Sequence, residues 1–124
     1  MNDEQIEQEI QAKGLNAPRV TPADIEKNIT SEFYFTASDG VAGASGHRPN
    51  SFRAGTALKL LTFCTLVLRN GFTVTGESAC ASPENFDADV GRKIARQNAV
   101  SKIWPLMGYA LKERMTVRSA ESTL

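Results

Sequence analysis

The chain has 124 residues, room for one domain that buries about two-thirds of its unfolded surface. Its 41% hydrophobic and 23% charged residues are those of an ordinary globular protein. Fourteen Lys and Arg against fourteen Asp and Glu leave no net charge, which excludes a molecule that holds nucleic acid by its overall field. The charges are unevenly spread, with eight acids and four bases in residues 1–50 against six acids and ten bases in 51–124.

The opening MNDEQIEQEI is too acidic and polar for a signal peptide, and no apolar run approaches a membrane span. A cytoplasmic protein is therefore expected. Residues 1–32 read as a helical lead-in. A short helix over Asn2–Lys13 has Ile6 and Ile10 as its only apolar stripe and ends at Gly14. A second helix starts at Thr21-Pro22-Ala23-Asp24, with a capping Thr, a Pro in first position and an acid in third. Ile25, Ile29 and Phe33 follow at helical spacing and are expected to face the core. Residues 33–37 then read as an edge strand. Its cluster Phe33-Tyr34-Phe35 reads as core rather than as a base-stacking surface, because no basic residues flank it.

Residues 38–57 are rich in Gly, Ser, Ala and Asn with almost no periodicity, the pattern of a flexible loop. Gly40, Gly43 and Gly46 lack the preceding apolar strand and the Lys-Thr/Ser sequel of a phosphate loop. The lone histidine, His47, stands beside Arg48 with Arg53 further on, and is a poor catalytic or metal candidate without a second ligand or acid.

Residues 58–81 read as a β-hairpin about Asn70-Gly71, taken as a two-residue type I′ turn. Counting outward pairs Val67 with Val74, Thr65 with Gly76, Phe63 with Ser78 and Leu61 with Cys80. Cys64 then falls opposite Glu77, the two thiols point to opposite faces, and both are expected to be reduced. No CxxC or Cys/His cluster suggests zinc. Leu60–Leu68 is apolar on both faces, which predicts the central strand of a three-stranded antiparallel sheet.

Residues 82–115 read as one long helix capped by Ser82, with Pro83 in the first turn and Glu84, Asp87 and Asp89 at the positive end of its dipole. Phe86, Val90, Ile94, Ile103, Leu106, Met107 and Leu111 recur at helical spacing. Gly91, Ala95 and Ala99 form a row of small residues with two readings. One is a helix–helix seam, as in a homodimer; the favoured one is close packing on the chain's own hairpin. Pro105 removes a backbone donor and is expected to kink or break the helix, with Trp104 filling the angle. Residues 116–124 read as a frayed tail. The expected fold class is thus α+β: a small three-stranded antiparallel sheet packed on a Pro-kinked C-terminal helix, with one or two N-terminal helices.

The chemistry-bearing residues are few. Arg92, Lys93, Arg96 and Lys102 make a basic row on the long helix, and Arg92 and Arg96, one turn apart, can together grip a phosphate, a nucleotide or an acidic protein face. The plainer reading is a solvated face partnered by Asp89 and similar acids. Glu77 is the hairpin's only strand acid, and a single carboxylate is a weak catalytic hint. Ser78 and Ser82 lack a nucleophile-turn context. No catalytic set emerges, so neither an enzyme nor a cofactor or metal is expected.

The marks Asn70-Gly71-Phe72, Gly76-Glu77-Ser78-Ala79-Cys80, Asn85-Phe86, Gly91-Arg92-Lys93 with Ala95, and Trp104-Pro105-Leu106-Met107-Gly108-Tyr109 resemble the phage gene product 49 / gene 66 family of small tailed-phage proteins. Ala12–Pro22 is similar to that family's entry segment, whereas Val41–Ala57 stands where its members often have a shorter stretch. The resemblance implies bacteriophage origin and expression in the host bacterial cytoplasm, and carries over no activity or catalytic residue. Three functions follow in order. The first is a non-catalytic accessory protein that binds a host protein in takeover or counter-defence. The second is a nucleotide or nucleic-acid binder, including a sponge for nucleotide signals, using Arg92, Lys93 and Arg96. The third is a virion assembly protein.

Overall fold

A computed structural model describes residues 2–46 and 55–122; His47, Arg48 and Arg53 lie outside them. In chain order the elements are α1 (Asp3–Ala12), α2 (Pro22–Asn28), β1 (Ile29–Thr36), α3 (Ala37–Ser45), α4 (Gly55–Leu58), β2 (Leu61–Leu68), β3 (Thr73–Ala79), a 3-10 turn at Pro83–Asn85, and α5 (Ala88–Ser122). The fold is α+β. A three-stranded antiparallel sheet of order β1-β2-β3 packs against the long C-terminal helix, and two helices precede the sheet.

The described chain divides into two compact units, residues 29–102 and residues 1–28 with 103–124. In the second of these, both helix starts follow the capping chemistry of the sequence. The Asn2 side chain accepts from the Gln5 N–H while the Gln5 side chain accepts from the Asn2 N–H. Thr21 and Asp24 exchange the equivalent pair ahead of α2. Gly14, at φ 66°, follows the C-cap of α1. Ile25 is buried as expected.

The sheet unit departs from the expected register by one residue. Leu66 faces Val74, Thr65 faces Thr75, Cys64 faces Gly76 and Phe63 faces Glu77. The turn is a three-residue one: Leu68 N–H donates to Phe72 O (2.8 Å) and Gly71 N–H to Leu68 O (2.9 Å). Gly71 alone supplies the left-handed residue, at φ 90°, and the Asn70 side chain accepts from the Phe72 N–H (2.9 Å). Asn-Gly serves this bulged loop as readily as the two-residue turn. A one-residue slip exchanges the faces of a strand. Val74 and Gly76 consequently join Cys64, Leu66 and Leu68 on the face that α5 covers.

That face shows how close the helix lies. A Cβ on Gly76 would overlap the carbonyl oxygen of Ala95 and the backbone nitrogen of Ala99, and sit 2.9 Å from Ala99 Cα. Ala95 and Ala99 are 0% exposed, and Gly91 is buried within reach of Thr62. Small residues here let two backbones meet, which larger side chains would prevent.

Other boundaries shift for local reasons. The strand expected over 33–37 begins at Ile29, so Phe33 alternates outward instead of continuing a helical core stripe. The segment expected as a loop over 38–57 carries α3, begun by a reciprocal Thr36–Asp39 capping box. Ser82 caps nothing with its side chain; Pro83–Asn85 forms the 3-10 turn, and Asp87 accepts from Val90 N–H (3.0 Å) to start α5. The helix then runs unbroken through Pro105, and the tail expected to fray stays helical to Ser122.

Candidate functional site

The sheet has one closed face and one open one. Opposite α5, residues Ser31, Phe33 and Phe35 of β1 align with Val67, Thr65 and Phe63 of β2. Thr73, Thr75 and Glu77 of β3 complete the row. Phe33 is 59% exposed and Phe35 40%, although both are paired with β2. Phe35 stacks on Phe63 with ring centroids 5.5 Å apart, and α3 touches it near Gly40. Thr73, Thr75 and Glu77 are exposed, and Thr65, Val67 and Phe63 half-buried. The result is an apolar, aromatic platform with a rim of hydroxyls and one carboxylate, chemistry suited to a protein surface. Reading Phe33-Tyr34-Phe35 as core missed this; strand alternation splits the cluster, with Tyr34 on the helix side and its two neighbours outside.

The basic row is separated rather than gathered. Lys93 pairs with Asp89 (3.0 Å) one turn back on the solvent side. Arg96 turns to the sheet, where its Nε donates to Glu32 Oε2 (3.0 Å). Arg92 and Lys102 are exposed, and Arg92 makes no ion pair among the described residues. The two-arginine grip expected of Arg92 and Arg96 therefore has one member engaged within the chain. Glu77 stands on the open face, where the Thr75 hydroxyl approaches its Oε1 (3.5 Å). The candidate seam of Gly91, Ala95 and Ala99 faces the chain's own sheet, so it offers no surface to a second helix.

Around Arg96 the closed face carries a small polar cluster. The Tyr34 hydroxyl donates to Glu32 Oε2 (2.6 Å), and Tyr34 lies opposite buried Cys64. The Tyr34 hydrogen bond first, and the Arg96 contacts second, hold the Glu32 carboxyl below the usual carboxylate range. Burial, then the bond to Glu32, pushes the Tyr34 hydroxyl up, and burial likewise raises the Cys64 thiol. Cys64 and Cys80 are both free, and the Cys80 thiol is directed to Ser82 O (3.2 Å).

In the helical unit, Asp3, Ile6, Glu7, Ile10, Val20, Pro22 and Trp104 line an open cleft of about 250 Å³. The Trp104 indole N–H donates to Asp3 Oδ2 (3.2 Å), and Arg19 clamps Glu7 with both guanidinium nitrogens, Nη2 to Oε2 at 2.8 Å. Asp3 thus takes the indole N–H, and Glu7 takes Arg19 and Gln11. Among the described residues no group of three or more His, Cys, Asp or Glu is arranged to hold a metal ion, and no helix is long and apolar enough to cross a membrane.

Residues 20–115 match the family model described as "Phage protein (N4 Gp49/phage Sf6 gene 66) family". No curated protein and no solved structure matches the chain. The matched span takes in the whole sheet, the polar cluster and most of α5.

Proposed function

This chain belongs to the phage protein (N4 Gp49/phage Sf6 gene 66) family, and from that premise we propose that it is a non-catalytic accessory protein that binds a protein of the bacterial host. Its role is takeover of the host or suppression of a host defence, and its contact surface is the open face of the sheet. The observation that carries this reading is the exposure of Phe33 and Phe35 within the strand-paired stretch of β1. Exposed aromatics supply large contact area at little entropic cost, and they are the residues on which protein interfaces concentrate their energy.

Thr65 stands at the centre of that face, beside Phe33 and opposite Thr75. Thr65→Arg places a charge on the platform while leaving the strand ladder intact. Tagged wild-type protein captured gently from infected cells should retain a host polypeptide in stoichiometric amount by native mass spectrometry. The Thr65→Arg variant should lose it at unchanged thermal stability. Retention by the variant removes the open face from the reading.

Nucleotide binding at Arg92 and Arg96 is disfavoured by the bond between Arg96 and Glu32. A bound small molecule in the same spectrum, lost on Arg92→Ala, would restore it. Recovery of the protein in purified particles would favour the virion role.

A further inference from the structure

We propose that the outer edge of β1 pairs with β1 of a second copy of this chain, antiparallel about a two-fold axis through Phe33, and joins two three-stranded sheets into one. This pairing uses the backbone edge and, from the open face, only Phe33, and it does not rest on host binding.

The argument starts from which backbone groups point outward. Leu68 N–H donates to Phe72 O, which turns the even residues of β2 towards β3 and the odd ones, Val67, Thr65 and Phe63, towards β1. Their partners Ser31, Phe33 and Phe35 therefore spend their N–H and C=O groups on β2. Two independent bonds agree with this parity: Val67 O accepts from the Thr30 hydroxyl (3.0 Å), and the outward Thr36 N–H goes to Asp39 Oδ2 (3.0 Å). What remains on the outer edge is the N–H and C=O of Glu32 and of Tyr34. β1 is the end strand of its sheet among the described residues, so no described strand takes them.

Natural edges are blunted by Lys, Pro, bulges or inward charges. The stretch Ser31–Phe35 (SEFYF) has neither Lys nor Pro. Its single charge, Glu32, points inward to the helix side, but Arg96 and the Tyr34 hydroxyl bond it there, so it is not an uncompensated charge that guards the edge. The protective devices stand at its two ends, a bulge between Ile29 and Ser31 and the capped Thr36. They delimit a short window of open edge and leave its centre unguarded.

The window is self-complementary. Glu32 and Tyr34 are equidistant from Phe33, so a two-fold axis there sets each Glu32 opposite the partner's Tyr34, with both N–H and both C=O groups exchanged in each pair. No two like charges face each other. Phe33, exposed on the open face, meets the partner's Phe33 in the non-hydrogen-bonded position, where side chains approach most closely. A second copy set with its axis at Glu32 would oppose two carboxylates, and one set at Tyr34 would need the Thr36 N–H that Asp39 already takes, which leaves Phe33 as the axis. The short window makes the dimer one that dissociates on dilution.

Cross-linking of the purified protein, with no host factor present, tests this. In a Cys80→Ser background, with Cys64 buried, Phe33→Cys sets two thiols across the axis at a Cα separation of about 4.5 Å, within disulfide reach. Mild oxidation should yield a disulfide-linked dimer, while Thr73→Cys on the other edge strand, exposed as well, stays largely monomeric. Equal cross-linking of the two variants, or none by Phe33→Cys, overturns the pairing. The unmodified chain gives a second reading that needs no substitution. Its native mass should move from monomer to dimer as concentration rises, and Phe33→Lys should hold it at monomer; a wild-type chain that is monomeric throughout also overturns the proposal.

Discussion

The two faces of the sheet are built from the same three strands and sort their residues against intuition. The closed face receives Gly76, Ala95 and Ala99 where helix and sheet backbones touch, and its larger members, Leu66 and Val74, lie beside that contact. The open face keeps Phe33, the bulkier residue, in solvent. Side-chain size therefore does not report burial here. Burial follows the distance to the covering element, and where that distance is least only a hydrogen or a methyl group fits. Large apolar residues left outside are then informative, because nothing in the fold of their unit requires them to be exposed.

The sharpest way to break the contrast is to put volume into the closed face. Gly76→Ala introduces a Cβ against backbone atoms of Ala95 and Ala99, which have no rotamer by which to give way. Overpacking costs about 1–3 kcal/mol and occasionally more. The upper end is expected where backbone must move, and urea unfolding should show either that loss or an unfolded chain. Wild-type stability in this variant would mean that α5 stands further from the sheet.

A smaller effect is expected from removing volume, and it should differ between faces. Leu66 is 0% exposed, so Leu66→Ala should cost about 2–5 kcal/mol. Phe33→Ala on the open face should cost less than about 1 kcal/mol in the monomer, as expected for a surface position. Equal losses by thermal denaturation would show that the open face is covered in solution.

The least effect belongs to the polar cluster. The Glu32 carboxyl titrates lower in the folded chain than in the unfolded one, held by Tyr34 and then by Arg96. The unfolded state thus binds the proton first, and the bond's stabilising contribution is complete above the ordinary carboxylate range. It is lost as pH falls through the lowered folded value. Glu32 and Arg96 are 40% and 27% exposed, so solvent screening limits this contribution to about 1 kcal/mol or less. Glu32→Gln should lower stability slightly at neutral pH and flatten the acid limb of a stability–pH curve; an unchanged acid limb would show that the bond does not persist in solution.

Much of the architecture was legible in the residues. The central place of β2 followed from its apolar character on both sides, the first N-terminal helix from its Ile6 and Ile10 stripe and the stop at Gly14, and the second from its cap at Thr21. The small-residue row Gly91, Ala95 and Ala99 carried its favoured meaning, close packing on the hairpin. One signal was present and passed over: Thr36 and Asp39 stand at capping-box spacing, and they begin α3 inside a segment whose Gly and Ala content hides any helical stripe.

The platform itself was not legible, for a reason that lies in periodicity. Phe33-Tyr34-Phe35 is apolar on both sides, and such a run does not say which face is covered. The hairpin register was equally open, because Asn70-Gly71 fits both a two-residue and a three-residue turn. By itself the sequence determined the order of the main elements and the Thr21 cap that starts α2, since those depend on neighbours within a few positions. The tertiary structure decided the register, the face that α5 covers and the engagement of Arg96 by Glu32. Each of these depends on groups far apart in the chain, and the physical arbiter was whether a helix backbone could come to rest on Gly76.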